Sequence, residues 1–240
     1  SEWGHEFRPD YRSLGLLRTE FPKVPIAAFT ATATPQVQDD IVRQLGLRKP
    51  YLVRASFDRP EIFYRVRPRE GDGDAQLLQF IRRHEGEPGI VYRGTRKAVD
   101  RTAEFLSARG IDAVAYHAGL EDVHRRSRQE AFVRDKVTVV VATIAFGMGI
   151  DKPNVRWVVH ADLPRSIEGY YQETGRAARD GDDAEALLLY GPGDIASIRW
   201  HIARMDSPDE QERAEARLRG ILSYAESSVC RRTQLLAHFA

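Results

Sequence analysis

The stretch "VVVATIAFGMGIDKPNVRWVVH", residues 139–160, decides the fold. It opens on a run that is apolar at every position, crosses a glycine-containing turn that ends in Asp151, and closes on a second apolar run. A strand with one wet face alternates apolar and polar residues, whereas a strand covered on both faces does not. Two unalternating runs joined by one turn therefore predict buried strands of a parallel sheet with helices on both faces.

Working outward, the same unit recurs. "GIVYRG" (89–94) reads as a strand, and "TRKAVDRTAEFLSARG" as an amphipathic helix closed by Gly110. "DAVAYHAG" reads as a strand and loop, "EDVHRRSRQEAFVRD" and "SIEGYYQETGRAARD" as helices, and "AEALLLYGP" as a last strand. Nearer the start, "VPIAAFTATAT" (24–34) is expected to be a buried strand ending in a Thr/Ala loop. "PQVQDDIVRQLGL" (35–47) is expected to be a helix with Pro at its start and Gly46 at its stop. Residues 48–75 mix two β-type stretches with Pro, Gly and charge, and from about residue 206 the chain turns charged and helical, without strands. The expectation is an α/β protein in three parts. Residues 1–50 are the tail of one α/β domain, 51–205 a complete second one, and 206–240 the start of a helical appendage.

Composition excludes more than it selects. Lys plus Arg number 36 against 35 Asp plus Glu, so no broad basic face advertises nucleic acid, and any such contact is expected along a narrow track. A single cysteine excludes an internal disulfide framework and points to a reducing, cytoplasmic setting. No apolar run approaches a bilayer span, and the first residues lack a signal-peptide layout.

The chemistry gathers in loops that follow strands, where open parallel sheets place ligands. In "QETGRAARDG" (172–181), Arg176 and Arg179 sit three apart, a helical-turn spacing, after a glycine that permits close backbone approach. Paired arginines suit phosphoryl transfer, because charge developing on a phosphate must be neutralised without proton chemistry; a solvated helix end is the blander alternative. In the 139–160 stretch, Thr143 leads to "FGMGID", where Gly147 and Gly149 flank Met148, and Asp151 is placed to hold a ribose hydroxyl or a partner arginine. The alternative there is a plain strand–turn–strand connection. His117 in "YHAGL" contacts a phosphate or, more simply, caps the following helix or makes a satisfied hydrogen bond. Thr30 and Thr32 in "FTATAT" are either relay hydroxyls or ordinary strand-end residues. Cys230 is a lone thiol, and a structural zinc site takes four ligands.

Taken together, "SEWGHEFRPDY", "FTATAT", "GIVYRGTRKAVD", "YHAGL", "VATIAFGMGIDKPNVRWVVH" and "YYQETGRAARDG" resemble, in order and spacing, the motifs of the RecQ family of superfamily-2 DNA helicases. "CRRTQLLAHF" looks like the start of that family's zinc-binding module. The resemblance implies the end of a first RecA-like lobe, a whole second RecA-like lobe and part of the zinc subdomain. It implies a 3′-to-5′ helicase in which ATP hydrolysis drives translocation on single-stranded DNA and unwinding of partial duplexes in repair and recombination. Arg179 matches the arginine finger, with Arg176 and Gln172 in the same motif, and with Asp151 and Gly149 they face the nucleotide. Thr30 and Thr32 match the motif that couples lobe movement to ATP state. Thr143, Met148 and His117 match the DNA track, and Trp3, His5, Phe7 and Arg8 the aromatic-rich loop that senses DNA, in keeping with the use of aromatic faces beside cations for single strands. Cys230 matches the first of four zinc cysteines. The cofactors implied are ATP, Mg²⁺ and Zn²⁺; the partners are DNA and a single-stranded-DNA-binding protein, with a monomeric enzyme and no membrane.

Three departures qualify the match. No P-loop or magnesium motif occurs, and both are expected upstream of Ser1, with three zinc ligands expected beyond Ala240. The segment alone is therefore expected to be inactive as an ATPase. Arg93 and Gly94 stand where a Cys–Asn pair is common in the family, and Ala178 stands where Gly is usual, which a helix would tolerate. Two alternatives stay open: a non-hydrolysing helicase-like DNA-binding module, and a different superfamily-2 motor acting on RNA.

Overall fold

The computed structural model of the protein describes residues 13–30, 35–53, 55–147 and 151–239. Its contacts divide the chain into two units, Arg59–Gln234 and Ser1–Asp58 with Leu235–Ala240.

The larger unit holds one parallel sheet. Its strands are β1 (Ile62–Pro68), β2 (Gly89–Tyr92), β3 (Ala113–Tyr116), β4 (Val139–Ala142), β5 (Trp157–His160) and β6 (Ala184–Tyr190), in the order β1-β6-β5-β2-β4-β3. Every neighbouring pair is parallel. The order explains where the helices go. From β1 through β2 to β3 the chain advances across the sheet, and from β3 through β4 and β5 to β6 it returns. A right-handed crossover puts its connection on opposite faces for opposite directions of travel.

The core follows that rule. On the first face, Val91, Val139, Val141, Trp157 and Val159 lie under Leu77 and Phe80 of α3 (Asp74–Arg83) and Val99 and Leu106 of α4 (Arg96–Ser107). On the second face, the alternate residues Ile90, Tyr92, Val140, Ala142 and Val158 meet Phe132 of α5 (Asp122–Val133), Phe146 and Val155. β2, β4 and β5 are buried at every position, as their unalternating sequences require. Gly89 is glycine for space, since a Cβ there would sit 2.0 Å from the Trp157 indole. Beyond β6 come α7 (Pro192–Ile202) and α8 (Pro208–Glu226), the latter capped by Ser207 Oγ accepting from the Glu210 amide.

In the smaller unit, α1 (Leu16–Glu20) is followed by residues 21–30, which form neither helix nor strand, and α2 (Pro35–Gln44) stops ahead of Gly46 at φ +55°. The chain closes on α9 (Arg231–Phe239).

Two expectations fail here. Residues 25–30 form no strand and are largely exposed, and no ladder partner for them exists among the described residues. An apolar run without a neighbouring strand has nowhere to place its backbone hydrogen bonds. Of the β-type stretches in 48–75, 62–68 alone becomes a strand.

Candidate functional site

The residues marked out by chemistry converge at the C-terminal ends of β2, β4 and β5, on the second face. Tyr92 ends β2, and its hydroxyl donates to the Phe146 carbonyl at 3.1 Å. Its ring stacks on His160, the last residue of β5, with centroids 5.1 Å apart. His160 Nε2 lies 2.6 Å from Glu173 Oε2, with the Tyr170 ring 4.9 Å away. Tyr170 and Glu173 belong to α6 (Ile167–Thr174), whose start is capped by Ser166 Oγ accepting from the Gly169 amide. Burial holds the Tyr92 phenol well above the usual tyrosine range, while the Arg176 guanidinium pulls the other way.

α6 ends at Thr174, one residue before Gly175, so the expected helix through Arg179 is not formed. Arg176 and Arg179 leave instead on a turn. The Ala178 amide donates to the Val155 carbonyl at 3.0 Å, and Ala178 takes φ +57°. Arg59 fastens the turn from outside, its Nη2 donating to the carbonyls of Ala177 and Ala178 at 2.9 and 3.1 Å. Ala178 is thus no helical residue. It occupies a left-handed conformation that glycine adopts freely, which corrects the helix-based account of this departure from the family pattern.

The turn sends the two arginines to different tasks. Arg176 Nη1 donates to the Gly147 carbonyl at 2.5 Å, while its Nε is buried with no partner among the described residues. Gly147 has φ +131°, and a Cβ on it would lie 2.0 Å from Arg176 Cζ, so glycine is required both by conformation and by space. Arg179 Nη1 donates to Asp151 Oδ1 at 2.9 Å, where the Asp151 side chain is 88% exposed. Asp151 therefore holds a partner arginine, one of its two expected roles. Next to it, the Lys152 ammonium is buried against the Phe132 ring and reaches Asp135 Oδ1 at 2.5 Å, which holds the Asp135 carboxyl below its ordinary range.

The other predicted residues divide as follows. The Thr143 carbonyl accepts from the Phe146 amide at 3.0 Å, so Thr143 opens the turn that carries the loop. His117 is buried with both ring nitrogens engaged, Nε2 on Asp100 at 3.0 Å and Nδ1 accepting from the Gly119 amide at 3.2 Å. Gln172 lies in α6, and Thr30 is exposed outside any strand. Trp3, His5, Phe7, Arg8, Thr32, Met148 and Gly149 lie outside the described residues. Cys230 is exposed just ahead of α9, its thiol drawn below the ordinary range first by the backbone of Thr233. Among the described residues no three His, Cys, Asp or Glu side chains gather as metal ligands, so these residues by themselves do not compose a zinc site. Arg93 is buried. Its guanidinium is buried against Asp74 at 2.7 Å and Asp162 at 3.2 Å.

Known proteins fix the lineage. Residues 73–181 match the helicase conserved C-terminal domain, and residues 192–240 match the RecQ zinc-binding module. The ATP-dependent DNA helicase RecQ of Pasteurella multocida is 51% identical over 245 residues, matching all of this chain and 38% of that protein. The RecQ of Haemophilus influenzae is 48% identical, again over 100% of this chain and 38% of that one. The chain belongs to the RecQ helicase family. It spans about two fifths of the length of its bacterial RecQ relatives. Among solved structures, Saccharomyces cerevisiae Dbp5 bound to RNA and ADP BeF3 has the same fold, with a TM-score of 0.58 at 20% identity over 79% of this chain and 54% of that one. The parallel sheet of this RecQ chain is accordingly the RecA-like C-terminal lobe of a helicase.

The sequence did not single out Tyr92, His160 or Glu173. One available signal was the His that ends an otherwise apolar strand in "WVVH", and another was the acid between the arginine motif and the buried face of α6.

Proposed function

We propose that this chain is the C-terminal motor lobe and the beginning of the zinc subdomain of an ATP-dependent DNA helicase that moves 3′ to 5′ on single-stranded DNA. Membership of the RecQ family supports the activity, and the separate tasks of the two arginines support the assignment of roles within it. Arg179 is the arginine finger. It meets the γ-phosphate of an ATP whose P-loop and magnesium ligand come from the motifs expected upstream. Arg176 holds the loop that begins at Thr143, and that loop faces DNA.

The observation that carries this reading is the Arg179–Asp151 pair. Both partners are substantially exposed, at 36% and 88% of the side chain. Exposed ion pairs contribute about 0–1 kcal/mol, so the Asp151 contact itself is exchanged for a phosphate at little cost. Charge-assisted bidentate contacts to phosphate are stronger, and they grow as negative charge develops in the transition state. Arg176 is tied to a backbone carbonyl and buried at Nε. Hydrolysis removes the phosphate and returns Arg179 to Asp151, which makes the pair the resting state of the cycle.

Magnesium-bound ATP supplies the electrophilic phosphorus, and the residues of this chain neutralise charge on it and do not exchange protons with it. In the full-length protein, Arg179→Ala should abolish DNA-stimulated ATP hydrolysis, a loss of about 10³-fold or more, with single-stranded DNA affinity retained. Turnover at the unmodified rate would end the assignment. An unwinding assay on DNA and RNA duplexes separates this helicase from an RNA motor of the same fold.

A further inference from the structure

Two arginines and one loop account for the chemistry, yet a group of buried polar side chains between them remains unused. Tyr92 and Arg176 bond consecutive carbonyls of the loop, those of Phe146 and Gly147. The two bonds start from distant parts of the chain, the end of β2 and the turn beyond α6. His160 stands at their junction. It pairs in register with Tyr92 across β2 and β5, its ring lies under the Tyr92 ring, and its Nε2 meets Glu173 in the last turn of α6.

This is an expensive way to fill a core. His160 and Glu173 are 1% and 8% exposed, and His160 Nδ1 has no partner among the described residues. Burying such groups costs desolvation that apolar side chains of equal volume avoid. Their geometry accounts for their presence. We propose that Tyr92, His160 and Glu173 are positioning residues that hold the 143–147 loop and the Arg176–Arg179 turn as one body, so that displacement of the loop by DNA is delivered to Arg179.

Each link has a defined direction. The Tyr92 phenol, kept protonated by burial, remains a donor to Phe146 at any working pH. Its ring moves with the imidazole on which it stacks. Glu173 then fixes the rotation of the last turn of α6, from which the arginine turn departs two residues later. The inference rests on the reading of Arg179 and of the loop given above.

The test uses the full-length protein with oligothymidine as the DNA. Tyr92→Phe removes one hydroxyl and keeps the ring stack, Glu173→Ala removes the acceptor for His160, and Glu173→Gln keeps an oxygen in its place. Tyr92→Phe and Glu173→Ala should each lower the ratio of DNA-stimulated to DNA-free turnover about tenfold, with the KM for ATP changing less than about twofold. Glu173→Gln should restore most of that ratio. Hydrogen exchange supplies a readout independent of turnover. Oligothymidine should slow exchange in both 143–147 and 172–181 of the unmodified protein, but in 143–147 alone in Tyr92→Phe and Glu173→Ala. That coupling is read whether or not Arg179 meets phosphate, so failure of the finger assignment and failure of the linkage are distinguishable. The linkage is overturned if both variants keep full DNA stimulation and coupled exchange. It is equally overturned if stimulated and DNA-free turnover fall together in step with melting temperature, which is the behaviour of core packing alone.

Discussion

At the C-terminal edge of the sheet, the two faces are finished in different ways. On the first face, Arg93 donates to Thr102, Ala161, Asp162 and Asp74, and Arg69 donates to Ala161, Asp162 and Asp194. The remaining carboxylate oxygens take backbone amides, Asp162 from Gly94 and Asp194 from Gly191 and Leu163. On the second face, Tyr92, His160, Glu173 and Arg176 form a sparser network in which His160 Nδ1 and Arg176 Nε lack partners among the described residues. A fully satisfied ionic lattice has one good arrangement, whereas a network with unmet groups has room for a second. The first face is therefore expected to be the more fixed of the two.

The comparison breaks first at Arg93. Arg93→Ala leaves Asp74 without its closest cation, in a site where burial already raises its carboxyl above the ordinary range. Loss of one partner from such a buried set should cost about 3–5 kcal/mol, read by urea denaturation. A cost below about 1 kcal/mol would mean that the first face is no more fixed than the second.

Gly147→Ala probes the second face. The added methyl falls within bonding distance of Arg176 Cζ, so the arginine must leave the loop. DNA-stimulated ATPase in the full-length protein should fall about a hundredfold, the expected cost of displacing a positioned group by about 1 Å. The loss in folding stability should be smaller than at Arg93. Denaturation and turnover measured on the same sample establish the order.

Ala178→Gly should have the smallest effect. The left-handed conformation costs alanine about 1–2 kcal/mol. Against this, burial of the methyl contributes about 0.8 kcal/mol, and glycine adds about 0.4–1 kcal/mol of unfolded-state entropy. These terms nearly cancel, so the net change should stay within about 1 kcal/mol. A larger stabilisation would mark the turn as strained on purpose.

Much of this architecture was legible in the residues. The strands β2, β4 and β5 could be read because each is apolar without alternation, and α4 because Thr95 caps it, accepting from the Ala98 amide. The length of α6 could not be read. "GRAARD" is a good helical sequence, and what stops the helix is the bond from the Ala178 amide to Val155, which is distant in the chain. The partners of Arg93 could not be read, because nothing local announces Asp74 and Asp162. The pairing of His160 with Glu173 needs the packing of β5 against α6, which no periodicity encodes. The arginine motif was visible as a pair, but its division of labour appears only once Gly147 and Asp151 are seen as separate destinations.

The reversal of the chain at β3 has a consequence for how the lobe is made. β1 is synthesised first yet pairs with β6 alone, Ile62 against Ala184 and Pro68 against Tyr190. On the ribosome, β1 emerges long before its partner and remains unpaired while β2 to β5 assemble. Long-range parallel pairing of this kind is slow and exposes sticky surface in the meantime. Within this sheet, the strand that comes first in the chain is thus the one that waits longest for its partner.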